Sequence, residues 1–314
     1  MIRIACFGES CVDINYIDGM IMPGGNSVNV AVYSSMLGHK AAYIGSVGND
    51  EFGKLVMNSM DKFGIDQSMI KVVDNGETER CCCKLVNGDR VLSMENHGGV
   101  LYTDPVVLDE KDIEYFKSFD IIHANYWAYL DKELIKLKDI GVPIIYDFSQ
   151  AGDEEKIAVA SEFSSYMLFS AKKELTKEEN HKMMRMAVDK YHMQMSIMTF
   201  GAEGAYIYDG VKTYYKEPYN AESDAVDTTG CGDSWISGFI TEYTECMKRL
   251  RIHNETTEGN FLTEANISDY REHAIEFAMC VGNMRARATT QIKGAFGCGM
   301  SFSEFYEKTG ISLQ

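Results

Sequence analysis

The strongest constraint on the fold is a regular exchange between two hydrophobic periods along the chain. Short continuous apolar runs recur at 2–7, 41–47, 121–124, 143–146, 166–169 and 196–199. Runs of that length, apolar at successive positions, read as strands buried on both faces. Between them the spacing becomes helical. Val28, Ala31, Val32 and Met36 fall on one stripe, as do Phe52, Leu55, Val56, Met60 and Phe63. Strand–helix alternation predicts an α/β fold, three layers deep, with a mostly parallel sheet between helices. Ligands of such sheets bind beyond the C-terminal strand ends. No internal repeat or Pro/Ser-rich linker interrupts the 314 residues, so one domain spanning 1–314 is expected.

Two stretches break the alternation. Residues 12–17 are strand-like and end at the turn Asp18-Gly19, and 78–94 reads as two strands joined at Asn87-Gly88. Together, about 10–23 and 77–98 predict a small antiparallel β lid. Such a sheet either closes over a site or pairs with a second copy in a homodimer, which would cover its exposed edges. The polar stretch 250–266 reads as an irregular surface excursion.

Charge narrows the function classes. Thirty Lys and Arg against 47 Asp and Glu leave a formal net charge of −17, which disfavours nucleic acid and anionic membrane as partners. No apolar run reaches the length of a membrane span. Residues 1–8 read as a strand rather than a signal peptide, so a cytoplasmic location with reduced thiols is expected. Nine cysteines are scattered, and only Cys81-Cys82-Cys83 cluster. On a strand these three alternate faces and cannot converge on one metal ion.

The chemistry concentrates in Asp227-Thr-Thr-Gly-Cys-Gly-Asp233, which precedes the helically spaced Trp235, Ile236, Phe239, Ile240 and Tyr243. Gly230 and Gly232 permit a tight turn at a helix N-terminus, where amides and the helix dipole favour an anion. On spacing alone, Asp233 is either the helix N-cap or a catalytic carboxylate. Upstream, Gly24-Gly25-Asn26 opens another helix, where Asn26 either caps it or hydrogen-bonds a polyol. Asp13, on the lid strand, could accept bonds from paired hydroxyls. A rival phosphate loop, Gly48-Asn-Asp-Glu-Phe-Gly53-Lys54, has Leu55 where Ser or Thr is needed and carries two acids, so it reads as a helix start after a strand.

In order and spacing these pieces resemble the PfkB (ribokinase-like) family of carbohydrate kinases. The 227–233 run resembles its C-terminal signature, with Cys231 for the usual Ala. Gly24-Gly25-Asn26 with Asn29-Val-Ala31 resembles its sugar-binding signature, and Thr199-Phe-Gly201-Ala-Glu-Gly204 its nucleotide strand–turn. The segments 24–33, 120–124 with Trp127, 146–149 and 169–174 are similar to the branch acting on fructosamines, Amadori-type sugar amines. The resemblance implies a ribokinase-like fold and phosphorylation of a primary sugar hydroxyl by ATP. Kinases for fructose, ribose or 2-keto-3-deoxygluconate remain alternatives, as does a non-catalytic sensor. It implies Asp233 as base, with Gly230, Cys231 and Gly232 as the anion hole. Asp13, Gly25, Asn26 and Asn29 would hold the sugar, and Thr199, Gly201 and Gly204 the nucleotide. Glu174 would order Mg²⁺ through water, though Ala171 stands where the family has Asn, with Ser170 beside it. Asp227 and Thr229 lie where the family often binds a monovalent cation such as K⁺.

Overall fold

The computed structural model describes residues 1–86, 89–219, 225–256 and 262–313. Its strands are β1 (Arg3–Phe7), β2 (Cys11–Asn15), β3 (Met20–Gly24), β4 (Lys40–Gly48), β5 (Asp66–Val73), β6 (Glu79–Val86), β7 (Asp89–Met94), β8 (Ile121–Asn125), β9 (Ile144–Asp147), β10 (Tyr166–Ser170), β11 (Met195–Thr199), β12 (Ala205–Tyr208), β13 (Thr213–Lys216) and β14 (Met300–Ser301). A nine-stranded sheet runs β13-β12-β11-β10-β9-β8-β1-β4-β5. It is parallel from β5 to β11 and antiparallel at β12 and β13.

The six apolar runs of the sequence are β1, β4, β8, β9, β10 and β11. Each is an inner strand, which is why its pattern is continuous. Along β1, Ile4 and Cys6 face one core and Ala5 and Phe7 the other. The first core lies under the helices Asn26–Met36, Glu51–Asp61, Cys231–Thr256 and Glu264–Thr289, and the second under Glu110–Phe116, Glu154–Ala160 and Lys177–Asp189. Each fully buried Leu, Ile or Phe in these layers contributes about 2 kcal/mol. β5 escaped the sequence reading because it is an edge strand, with polar residues interleaved and none of its residues fully buried. No helix among the described residues is long and apolar enough to cross a membrane.

The second sheet runs β14-β3-β2-β6-β7. Two features depart from the expected antiparallel lid. β2 pairs with β6 in parallel, because the chain returns to this sheet only after β4, a helix and β5. β14, far along the chain, closes the free edge of β3. β6 and β7 form the expected antiparallel pair, while Asn87 and Gly88 lie outside the described residues. The excursion assigned to 250–266 is mostly helical: one helix runs to Thr256 and the next starts at Glu264, with 257–261 outside the described residues.

Asp50, inside the rival phosphate loop, caps the Glu51–Asp61 helix by accepting from the Gly53 amide at 2.7 Å. It also accepts from the Thr78 amide and hydroxyl at 2.9 and 2.7 Å, fastening the helix to the start of β6 in the second sheet. That loop is a structural joint.

Candidate active site

Strand order reverses about β1, whose neighbours are β4 on one side and β8 on the other. The crevice at such a reversal is where α/β sheets bind ligands. Beyond β1 come Gly8 and Glu9, while Asn125 ends β8, Asp147 ends β9, Ser170 ends β10 and Thr199 ends β11. The carboxyl edge therefore carries an acidic half near β1 and a hydroxyl-bearing half near β10 and β11.

In the acidic half the two signature segments meet. Asn26 Nδ2 donates to Asp233 Oδ1 and to Asp147 Oδ2, both at 2.8 Å, and Asn29 Nδ2 donates to Asp233 Oδ2 at 2.6 Å. Gly25, not Asn26, occupies the N-cap position of the Asn26–Met36 helix. Asn26 is therefore not the cap, and its side chain orients the carboxylate. Asp233 is likewise inside the first turn of the Cys231–Thr256 helix and holds side-chain amides rather than capping it. Gly25 is required by geometry: its φ is +99°, and a Cβ there would lie 2.8 Å from the Cys11 nitrogen and the Ser10 Cα. This close crossing sets the helix start against the loop after β1, where the Asn26 amide donates to Glu9 Oε1 at 2.9 Å.

The same pocket gathers Asp13 from β2 and Glu79 from β6, with Glu9 and Asp147. Burial raises Asp233 to about 7. Asn29 opposes that rise, the Asp147 and Asp13 charges add to it, and Asn26 opposes it in turn. Burial likewise lifts Asp13 to about 6 and both Glu9 and Glu79 to about 8. All four hold protons in the fold at pH values where the unfolded chain, with carboxyls near 4, has released them. Their contribution to stability is complete below about pH 4 and is lost as pH rises through 6 to 8. The melting temperature of the ligand-free protein is expected to fall between pH 5 and 8.5, and Glu79→Gln to flatten that fall. Calorimetry showing a melting temperature that rises across this window would contradict the assignment.

Glu9, Asp147 and Glu79 were absent from the sequence expectations. Glu9 had a positional signal, since it stands one residue past Gly8 at the end of the first strand. Asp147 lies within the noted 146–149 segment. Glu79 had no signal, because its approach depends on the parallel β2–β6 pairing.

The other half is a cavity of about 770 Å³. Thr199, Gly201 and Gly204 line it, with Ser170, Ala171 and Lys172 on one side and Thr228, Cys231, Gly232, Trp235, Asn283 and Arg287 on the other. Lys172, Lys173, Lys177 and Arg287, against the single acid Glu203 among the described lining residues, bring net positive charge to this cavity of a strongly acidic chain. Arg287 Nη1 donates to Thr290 Oγ1 at 2.7 Å, and Trp235 Nε1 to Asn283 Oδ1 at 2.7 Å, fixing the cavity wall. Neither Arg287 nor Asn283 was visible as a site residue, since both lie inside a long helix with no motif around them.

The junction of the two halves is the turn before Asp233. Gly230 has φ +74°, and a Cβ there would fall 2.7 Å from the Tyr33 hydroxyl. The first amides of a helix lack an intrahelical acceptor. Here the Cys231 amide donates to Thr228 O at 3.2 Å and Ser234 to Gly230 O at 2.8 Å. Among the described residues this leaves Gly232 and Asp233 as the open donors, so the Cys231 amide expected in the anion hole is already engaged. Asp227 accepts from Thr229 N and Oγ1 at 3.0 and 2.8 Å and from Gly294 N at 2.9 Å, which braces the turn. Glu174 is exposed on the turn that carries Lys173, beside the cavity but not lining it.

Comparison with known proteins agrees with this geometry. The family model for pfkB family carbohydrate kinase matches residues 2–257. The chain is 31% identical over 248 residues to fructosamine kinase FrlD of Bacillus subtilis, covering 79% of this chain and 84% of that one. To fructoselysine 6-kinase of Escherichia coli it is 28% identical over 251 residues, covering 79% and 91%. Arabidopsis thaliana ribokinase, complexed with ribose and ATP, superposes with a TM-score of 0.68 at 17% identity, covering 99% and 98%. A paired asparagine–aspartate centre at the reversal of the sheet, a basic cavity beside it and a family match over most of its length converge: the chain belongs to the pfkB family of carbohydrate kinases.

Proposed function

We propose that the protein transfers the γ-phosphoryl group of ATP to a primary hydroxyl of a fructosamine, the 6-hydroxyl of fructoselysine or a near relative. The observation that carries the reading is Asp233, a carboxylate held by two asparagine amides next to open helix amides. The sugar hydroxyl sits against Asp233, which takes its proton as the oxygen–phosphorus bond forms and the bond to the ADP oxygen breaks. Gly232 and Asp233 amides receive charge developing on the transferring phosphoryl oxygens. Asn26 and Asn29 orient the base, and Asp13 accepts from sugar hydroxyls. Lys172 and Arg287 draw the nucleotide phosphates into the cavity lined by Thr199, Gly201 and Gly204.

A hard cation that travels with ATP needs few protein ligands and keeps its waters. The Glu174 carboxylate at the rim, with the Ser170 and Thr199 hydroxyls, fits that modest requirement. When bound, Mg²⁺ supplies charge neutralisation across the phosphates. The Asp227–Thr229 pair is accounted for by its own hydrogen bonds as a brace of the turn.

The substrate class rests on the acidic wall together with the named relatives. A fructosamine carries a protonated amine that fructose and ribose lack, and Glu79 offers a buried carboxylate oxygen without a hydrogen-bond partner among the described residues. Glu79→Gln is expected to raise KM for fructoselysine about tenfold while changing KM for fructose little, since charge-assisted bonds contribute roughly 1.5–3 kcal/mol. An equal change for both sugars would remove Glu79 from amine recognition. ATP-coupled turnover on fructoselysine, fructose and ribose side by side tests the whole reading: preference for either simple sugar would overturn it. The small sheet, with Asp13 and Glu79 on its strands, acts in this scheme as the lid that excludes water from the transfer.

A further inference from the structure

The three consecutive cysteines of β6 do not converge on one point, but one of them meets partners from elsewhere. The parallel register sets Cys11 opposite Glu79 and Asp13 opposite Cys81. Alternation along both strands then places all four on one face. The two sulfurs and a Glu79 carboxylate oxygen lie within 4.8 Å of one another. A tetrahedral zinc ion, with Zn–S near 2.3 Å and Zn–O near 2.1 Å, needs its ligand atoms about 3.5–3.8 Å apart, so only a small inward movement closes the set.

A second observation points to a ligand. Glu79 is 3% exposed, and its Oε2 has no hydrogen-bond partner among the described residues. A buried carboxylate oxygen left alone is costly unless something cationic or protic meets it. The charges acting on the two thiols are those of Asp13, Glu9 and Glu79, all acidic. The neighbouring Arg80 lies on the opposite face, over the Phe52 ring.

We propose that Cys11, Glu79 and Cys81 form a binding site for a thiophilic divalent cation, fitted to Zn²⁺, on the inner wall of the lid. Two thiolates select zinc over the hard magnesium ion that accompanies ATP. Binding forms two Zn–S bonds and one Zn–O bond. The two thiol protons, with any proton on Glu79, pass to the buffer, and a water completes the tetrahedron. The ion lies beside Asp13 and engages Glu79, so zinc and sugar compete for one pocket and zinc inhibits the kinase reversibly. The site stands whichever sugar the enzyme takes.

The test is made on the full chain kept reduced with a phosphine. Zinc is titrated in competition with a chromophoric chelator, and X-ray absorption is recorded on the loaded protein. One equivalent is expected to be retained, with two sulfur scatterers near 2.3 Å. Cys81→Ser and Cys11→Ser should each weaken retention by more than the roughly 10–100-fold that changes behind the ligands cost. Cys246→Ser should leave it unchanged, and zinc inhibition should be competitive with sugar in the wild type and lost in Cys81→Ser. Absence of one retained equivalent, fewer than two sulfur neighbours, or unchanged retention in Cys81→Ser overturns the proposal. So does a Cys11–Cys81 disulfide that forms on oxidation in a protein holding no zinc when reduced, which would make the pair a redox element. If a serine variant fails to fold, as judged by its melting curve, the wild-type absorption spectrum decides alone.

Discussion

Asp233→Asn is expected to lower kcat by about 10²–10⁴-fold, the range that a positioned general base supplies, while ATP binds as before. The substitution is nearly isosteric and preserves the first turn of the Cys231–Thr256 helix. It removes the acceptor for the hydroxyl proton and keeps only one of the two bonds accepted from Asn26 at 2.8 Å and Asn29 at 2.6 Å, since the new NH2 cannot accept. The Thr199–Gly204 side of the nucleotide cavity does not touch this carboxylate. Nucleotide affinity by calorimetry should therefore stay within a few-fold of wild type. A variant with near-normal kcat would show that another group takes the proton. The wild-type pH profile gives an independent reading. With Asp233 raised to about 7, kcat/KM should fall roughly tenfold per pH unit below that point, because only the ionised carboxylate is a base.

Gly25→Ala is expected to damage stability and catalysis together. The residue has φ +99° and ψ 142°, a region that residues with a Cβ occupy at a cost of about 1–3 kcal/mol. The added carbon would also meet the Cys11 nitrogen and Ser10 Cα at 2.8 Å and the Glu9 oxygen at 2.9 Å. These are backbone atoms and cannot swing aside. Either the loop after β1 or the start of the Asn26–Met36 helix must shift, and that helix aims both asparagines at Asp233. A misplacement of about 1 Å is enough to cost on the order of 100-fold in rate. The expected result is a melting temperature lower by roughly 5–10 °C and kcat/KM down about 100-fold, with circular dichroism still native at low temperature. Wild-type values for both would mean that the crossing of Gly25 over the β1 loop does not set the site.

The sequence by itself determined the parts that depend on local periodicity and local turn chemistry. The six inner parallel strands announced themselves because burial on both faces demands unbroken apolar runs. The glycine turns at 24–25 and 230–232 announced their helices because few other residues tolerate those backbones. Asp233 and Asn26 each stayed divided between capping and chemistry, since a single helix start cannot reveal what faces it. Tertiary structure removed the capping reading of both, by placing Gly25 rather than Asn26 at the cap and by bringing two asparagines to a carboxylate more than 200 residues away. It also decided what no local pattern encodes. Arg287 and Asn283 reach the basic cavity from the last two turns of the Glu264–Thr289 helix, Glu9 and Asp147 arrive through strand order, and Cys11, Glu79 and Cys81 meet because β2 and β6 run parallel in one register. Register and strand order are set by packing of the whole chain, and they turn dispersed acids and thiols into a shared pocket.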